Sequence, residues 1–223
     1  VKVDDIYVFD LRAIEAENDR LIADDPDCVA LLKAINVALN FLAAVPLERE
    51  AHKPDELALF RLMIRLFNCG VGALHLARGG LYQQSAALLR DVMETAFLLD
   101  LFASHPAELG RWRTLPPSER EKQFKQWQVR KTLDERDGFN EKKREAAYKR
   151  LSAYGSHPTP EGFAVISPDN VTKLGPFPSQ THFRALLEEA AMRITEGALK
   201  ASRHASEPRH DLIAKRAALL AHT

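Results

Sequence analysis

Residues 54–103, PDELALFRLMIRLFNCGVGALHLARGGLYQQSAALLRDVMETAFLLDLFA, are apolar at helical spacing on both sides of one glycine pair. Leu57, Phe60, Met63, Ile64, Phe67, Val71 and Leu74 make the first stripe, and Leu59, Leu62, Leu66 and Leu76 widen it to most of a helix circumference. A helix so apolar has to be central. Gly79-Gly80 is a helix C-terminal signal that also permits a tight reversal. Beyond it, Leu88, Leu89, Val92, Met93, Phe97, Leu99 and Phe102 give a second helix, over 81–103, that is nearly as apolar. Two such helices bury their faces best against each other, so the sequence predicts an all-α fold, a helical bundle around a central antiparallel helix hairpin.

Upstream, residues 4–25 place Ile6, Phe9, Leu11, Ile14, Leu21 and Ile22 among acids and read as an amphipathic first helix. Asp25-Pro26 restarts the chain, since aspartate caps a helix and proline suits its first position. The second helix is expected to end before Pro46. Downstream of His105-Pro106 the chain turns highly charged. Phe124, Trp127 and Leu133 suggest one helix laid on the core from Pro116-Pro117 to Gly138, followed by another over 140–153. Five prolines between 156 and 180 forbid a long helix there, and FAVIS, PDN and VTKL suggest a small β-hairpin within this Pro-rich insertion. Helical periodicity returns over 181–202, with a last short helix expected at 209–221. One domain over 1–223 is predicted, its core at about 54–158 and its C-terminal helices at about 181–222.

At 223 residues the chain can bury a large core without staples. Cys28 and Cys69 form no CxxC pair and no zinc quartet, and read as small buried apolar groups in a reducing compartment. No stretch reaches about 18 residues free of charge and polar breaks, so no membrane span is expected. The opening VKVDDIYVFD has neither the basic start nor the apolar middle of a secretion signal, and a cytoplasmic location is the expectation. Net charge is zero, yet residues 1–60 hold 13 acids and 6 bases while residues 111–150 hold 7 acids and 13 bases. Such segments face phosphate or pair with each other, within one chain or between two copies.

Polar groups on apolar helices need partners. Arg61, Arg65, Asn68 and His75 follow one stripe of the first hairpin helix; Gln83, Arg90 and Glu94, with Asp91 beside them, follow one of the second. Facing each other, they make either a cleft floored by Arg90, Glu94 and His75 or a register-fixing network in which Arg90 pairs with Glu94 and with Arg65 or Asp91. No phosphate-binding loop, dinucleotide fingerprint, nucleophile elbow or zinc-protease motif occurs, and no cofactor or metal is expected. His204, His210 and His222 read as solvated surface groups.

The sharpest constellation is YKRLSAYGSHP, residues 148–158. Tyr148 and Ser152 lie one turn apart, Gly155 and Pro158 end the helix, and His157 falls at the turn, where proton transfer at neutral pH suits it. Arg150 and His157, with six residues between them, resemble the R-x(4-6)-H signature of the HEPN superfamily. LLRDVMETAFLLDLF with YKRLSAYGSHP is similar to uncharacterised bacterial helical proteins grouped near it, over about residues 60–158. Arg203 with His210 and Arg216 with His222 share the spacing. The resemblance implies a homodimeric bundle and a metal-independent ribonuclease cleft in which Arg150 steadies the scissile phosphate and His157 is general acid or base. Arg90, Glu94, Tyr148, Ser152 and His75 are the expected supporting or substrate-binding residues. Leu151 stands where active members of the superfamily usually carry a polar residue. Three readings stand here: a HEPN-like protein acting on RNA or a nucleotide, a non-catalytic binding or scaffold bundle, and a small-molecule enzyme using the Arg90/Glu94/His75 seam.

Overall fold

The computed structural model describes residues 9–205 together with Lys215 and Ala218. The expected start of the first helix before residue 9, the expected last helix at 209–221, and His210 and His222 lie outside the described residues.

Helix α1 spans Leu11–Ile22 and is capped by Asp10, whose carboxylate accepts the N–H of Ala13 at 3.1 Å. Asp25 does the same for α2, Pro26–Glu48, accepting from Asp27 and Cys28. The helix runs through Pro46 rather than stopping before it. Proline loses one bond and crowds the carbonyl four residues back, but only in the last turn, where little helix is left to disrupt.

Helices α3, Pro54–Arg78, and α4, Tyr82–Ser104, form the expected hairpin. Its turn is a Schellman closure: the N–H of Leu81 donates to the carbonyl of Leu76 at 2.8 Å and that of Gly80 to Ala77 at 3.1 Å. Gly80 has φ +75, and a Cβ there would lie 2.4 Å from the carbonyl oxygen of Phe177. No side chain fits that position.

α10, Gln180–Ser202, packs along α4, α2 and α3, so the core extends beyond the expected 54–158 to include α2 and α10. Leu42, Met63, Leu66, Leu89, Leu99, Leu187 and Ile194 are among its fully buried members. Asn18 ties the helix ends together: its amide donates to Arg78 O at 2.9 Å, and its oxygen accepts from Ser179 N at 3.0 Å and Tyr82 OH at 3.1 Å.

The charged middle of the chain is a helical arm on this core: α5, Pro106–Thr114; α6, Pro117–Gln123; α7, Gln126–Asp137; and α8, Lys143–Leu151. The single helix expected over 117–138 is broken at Phe124-Lys125, where Phe124 turns into the core against Phe102. Burying that ring outweighs the few intrahelical bonds lost. Gly138, left-handed at φ +67, closes α7 as expected.

After α8 the chain widens into a π-helical turn, Ser152–Ser156, closed by His157 N–H to Ser152 O at 3.0 Å. No strand occurs among the described residues, and the expected β-hairpin is instead α9, Pro160–Phe163, followed by two 3₁₀ turns, Ala164–Ile166 and Pro168–Asn170. One cross-turn bond, Lys173 N to Ile166 O at 2.8 Å, is all that resembles a ladder. The prolines remove donors that a hairpin needs.

Measured by length and composition, α2 and α3 are apolar enough to cross a bilayer, which corrects the expectation drawn from charge spacing. In this fold both pack into the helical core. His204 is also not a surface group: it is largely buried, and its Nε2 donates to Leu99 O at 2.7 Å.

Candidate functional site

The polar face of α4 meets α8 through Arg90. Its Nε donates to Glu94 Oε1 at 2.9 Å, its Nη2 donates to Tyr148 OH at 2.8 Å, and its guanidinium carbon lies 4.9 Å from the Tyr148 ring centroid. One turn back along the hairpin, Arg65 pairs with Asp91, Nε to Oδ1 at 2.8 Å. Cys69 donates to the same carboxylate oxygen at 3.6 Å; burial first, then Asp91, pushes its thiol up to about 11. Arg90, Glu94 and Tyr148 thus come together as expected.

His75 does not join them. It is exposed near the end of α3, lining an apolar groove beside Asp19 and Arg78. The helical stripe placed His75 in line with Arg65, but it is ten residues on, and the register that sets Ser85 against Ala73 and Asp91 against Arg65 leaves Glu94 opposite the first half of α3. Ser152 is 6% exposed, and its hydroxyl has no hydrogen-bond partner.

Arg150 and His157 are both exposed. Arg150 Nη2 donates to Glu189 Oε2 at 3.0 Å, a carboxylate that also accepts from Arg193 at 2.7 Å. Arg150 lines a largely apolar groove with Tyr82, Tyr154, His182 and Glu189. His157 does not line that groove, and its ring makes no hydrogen bond or ion pair among the described residues. The histidine that lines the same groove as Arg150 is His182, whose Nδ1 lies 2.8 Å from Ser179 Oγ in a helix cap.

Sequence reasoning passed over Arg130. It is 7% exposed, its Nη1 has no hydrogen-bond partner, and no carboxylate lies within 4.0 Å of it among the described residues. Its guanidinium carbon sits 3.9 Å from the Tyr148 centroid, so Arg130 and Arg90 share one ring. Burial holds the Arg130 pKa below its ordinary value, with Tyr148 and Glu145 opposing.

Arg130 lines a groove of ≈ 520 Å³ between α7 and α8. Trp127, 55% exposed, and Phe139, 54% exposed, both line it, with the Arg144 guanidinium carbon 5.0 Å from the Phe139 ring centroid. The groove's acids are engaged: Asp134 by Arg144, Glu135 by Lys131 at 3.7 Å and Glu145 by Lys149 at 2.6 Å. Lys142, left-handed at φ 52, has no carboxylate partner among the described residues. The signal in the sequence was Trp127-x-x-Arg130 on one helix face, with Phe139 and Lys142 repeating the pair of types beyond Gly138.

Among the described residues no group of three or more histidine, cysteine or acidic side chains is placed to hold a metal ion. The sequence matches no family model, no curated protein and no solved structure.

Proposed function

We propose that this chain is a HEPN-like, single-stranded RNA-binding protein whose contact surface is the α7–α8 groove. The observation that carries the reading is Arg130, a buried cation with no carboxylate partner, in a groove that two exposed aromatic rings also line. A buried charge without a counter-ion costs free energy. A phosphate in the groove supplies the missing charge, while Trp127 and Phe139 offer faces on which bases stack irrespective of sequence. The excess of 13 bases over 7 acids in residues 111–150 adds a field that attracts a polyanion.

Anisotropy of a labelled single-stranded RNA tests this. Binding is expected to weaken with salt, and Trp127→Ala or Phe139→Ala is expected to cost about 1–3 kcal/mol each. No binding at low salt, or binding indifferent to both substitutions, sinks the reading.

Cleavage by Arg150 and His157 is a second reading, supported by their accessibility: one 3.0 Å bond to Glu189 tethers Arg150, and a phosphate can replace it. A cytoplasmic homodimer belongs to the same proposal. Among the described residues only Arg113–Asp55 joins the basic 111–150 segment to the acidic 1–60 segment; Asp19 and Asp25 are taken by Arg78 and Arg184 instead. The segments therefore keep charge for contact between copies. Light scattering that finds only a 25.0 kDa particle refutes the dimer.

A further inference from the structure

We propose a second anion site, independent of the RNA groove: the cleft between the α3–α4 hairpin and the α5–α6 arm binds a small polyphosphate ester that carries a free hydroxyl. The cleft has a volume of ≈ 600 Å³, within the range of small-molecule sites. Four arginines line it, Arg61, Arg65, Arg113 and Arg120, against two carboxylates, Asp91 and Glu94.

The carboxylates are already engaged. Asp91 is held by Arg65 and accepts from Thr95 Oγ1 at 3.3 Å, while Glu94 pairs with Arg90 at 2.8 Å. Arg113 pairs with Asp55 at 2.8 Å. Arg61 and Arg120 have no carboxylate within 4.0 Å among the described residues, and Arg120 has only the Trp112 ring, 6.0 Å away. Two unmatched guanidiniums, backed by two that are anchored, give planar donor forks for more than one phosphate group.

Gln126 narrows the ligand class. Its Oε1 is closed to solvent and accepts no hydrogen bond, although the residue lines the cleft. A buried acceptor of this kind requires a donor, and a phosphate chain ionised at neutral pH has none. A ligand hydroxyl has one, and it reaches Oε1 once the half-buried Gln126 side chain turns toward the cleft. The chemistry fits a sugar or cyclitol polyphosphate better than an inorganic chain.

Calorimetric titration of the full chain with ATP, inositol 1,4,5-trisphosphate and inorganic tripolyphosphate tests the site. At least one ester is expected to bind more tightly than tripolyphosphate, and comparing the two esters tells a nucleotide from a cyclitol source. Arg61→Ala with Arg120→Ala should weaken that ester at least about ten-fold, and both residues are accessible enough for the fold to survive. Gln126→Leu should bring ester and tripolyphosphate level, whereas Trp127→Ala, which acts on the RNA groove, should leave both unchanged. The proposal is overturned if no probe binds at millimolar concentration, if the double variant binds undiminished, or if tripolyphosphate binds as tightly as both esters. Loss of RNA binding with the ester titration intact refutes the groove and leaves this site standing.

Discussion

The guanidinium of Arg130 lies 3.9 Å from the ring centroid of Tyr148, and Arg90 occupies the same ring at 4.9 Å while bonding its hydroxyl at 2.8 Å. One aromatic side chain therefore joins α4, α7 and α8. The two arginines differ in one respect: Arg90 has Glu94, and Arg130 has no acid. Replacing even a buried ion pair by apolar side chains of similar volume is often neutral or stabilising, by about 1–4 kcal/mol, and Arg130 has no acid whose attraction would be lost. Arg130→Met is thus expected to hold or raise the melting temperature while weakening RNA binding. A loss of stability would mean that Arg130 is a strut and would remove the main support for the groove.

Asp100 is fully buried, at 0% exposure, and is surrounded by Arg136 at 2.8 Å, Lys200 at 2.9 Å and Arg203 at 2.7 Å. Burial opposes its charge, but the bonds from Arg136 and Lys200 prevail and hold its carboxyl below the usual range. With a folded pKa below the unfolded one, its contribution is complete above the unfolded value near 3.9 and is lost as pH falls through the folded value. Burial lowers the pKa of His204, so protonation begins to oppose folding as pH falls below about 6.5. Urea midpoints should drop below pH 6.5 and again below about pH 4. Asp100→Ala removes the acid that three cations share, although Arg136 and Lys200 keep Asp137 and Glu196; it should cost about 3–5 kcal/mol and shrink the lower step, to which Asp137 also contributes.

Gly155 touches α4: a Cβ built there would lie 2.3 Å from the backbone nitrogen of Ala87. Backbone cannot yield as a side-chain tip can. Gly155→Ala is expected to lower stability by about 1–3 kcal/mol through displacement of the π-helical turn, measured by thermal melting. An unchanged melting temperature would show that the turn does not sit on α4 in solution.

His157 is exposed and its ring bonds nothing among the described residues, so His157→Ala should change stability by no more than about 0.5 kcal/mol. If the chain cleaves RNA through this residue, the same substitution lowers the rate about 10²- to 10⁴-fold at unchanged binding. Equal cleavage rates for wild type and variant would dismiss the catalytic role.

The central hairpin was legible because its cause is local: apolar residues at helical spacing dictate α3 and α4, and a glycine pair with φ +75 at Gly80 dictates the reversal. Asp25 and Pro26 mark a helix start for the same reason, each acting on neighbours within one turn. Phe124 misled because tertiary burial overrode the local preference, and Pro46 because a proline in the last turn has little helix left to break. The prolines of 156–180 were rightly taken to break helix, but they exclude a strand ladder as firmly.

The polar residues divide along the same line. Arg90 with Glu94 is an i,i+4 pair visible in the chain; Arg65 with Asp91 follows once the hairpin is assumed. By itself, then, the sequence determined the helical class, the central hairpin and its polar seam. Only the tertiary structure decided that Arg150 meets Glu189 rather than His157, that His75 stands apart, and that Arg130 is buried without an acid. Helix formation is governed by residues three and four positions apart, whereas the partner of a charge is set by which helix ends meet across tens of residues, and no spacing rule encodes that distance.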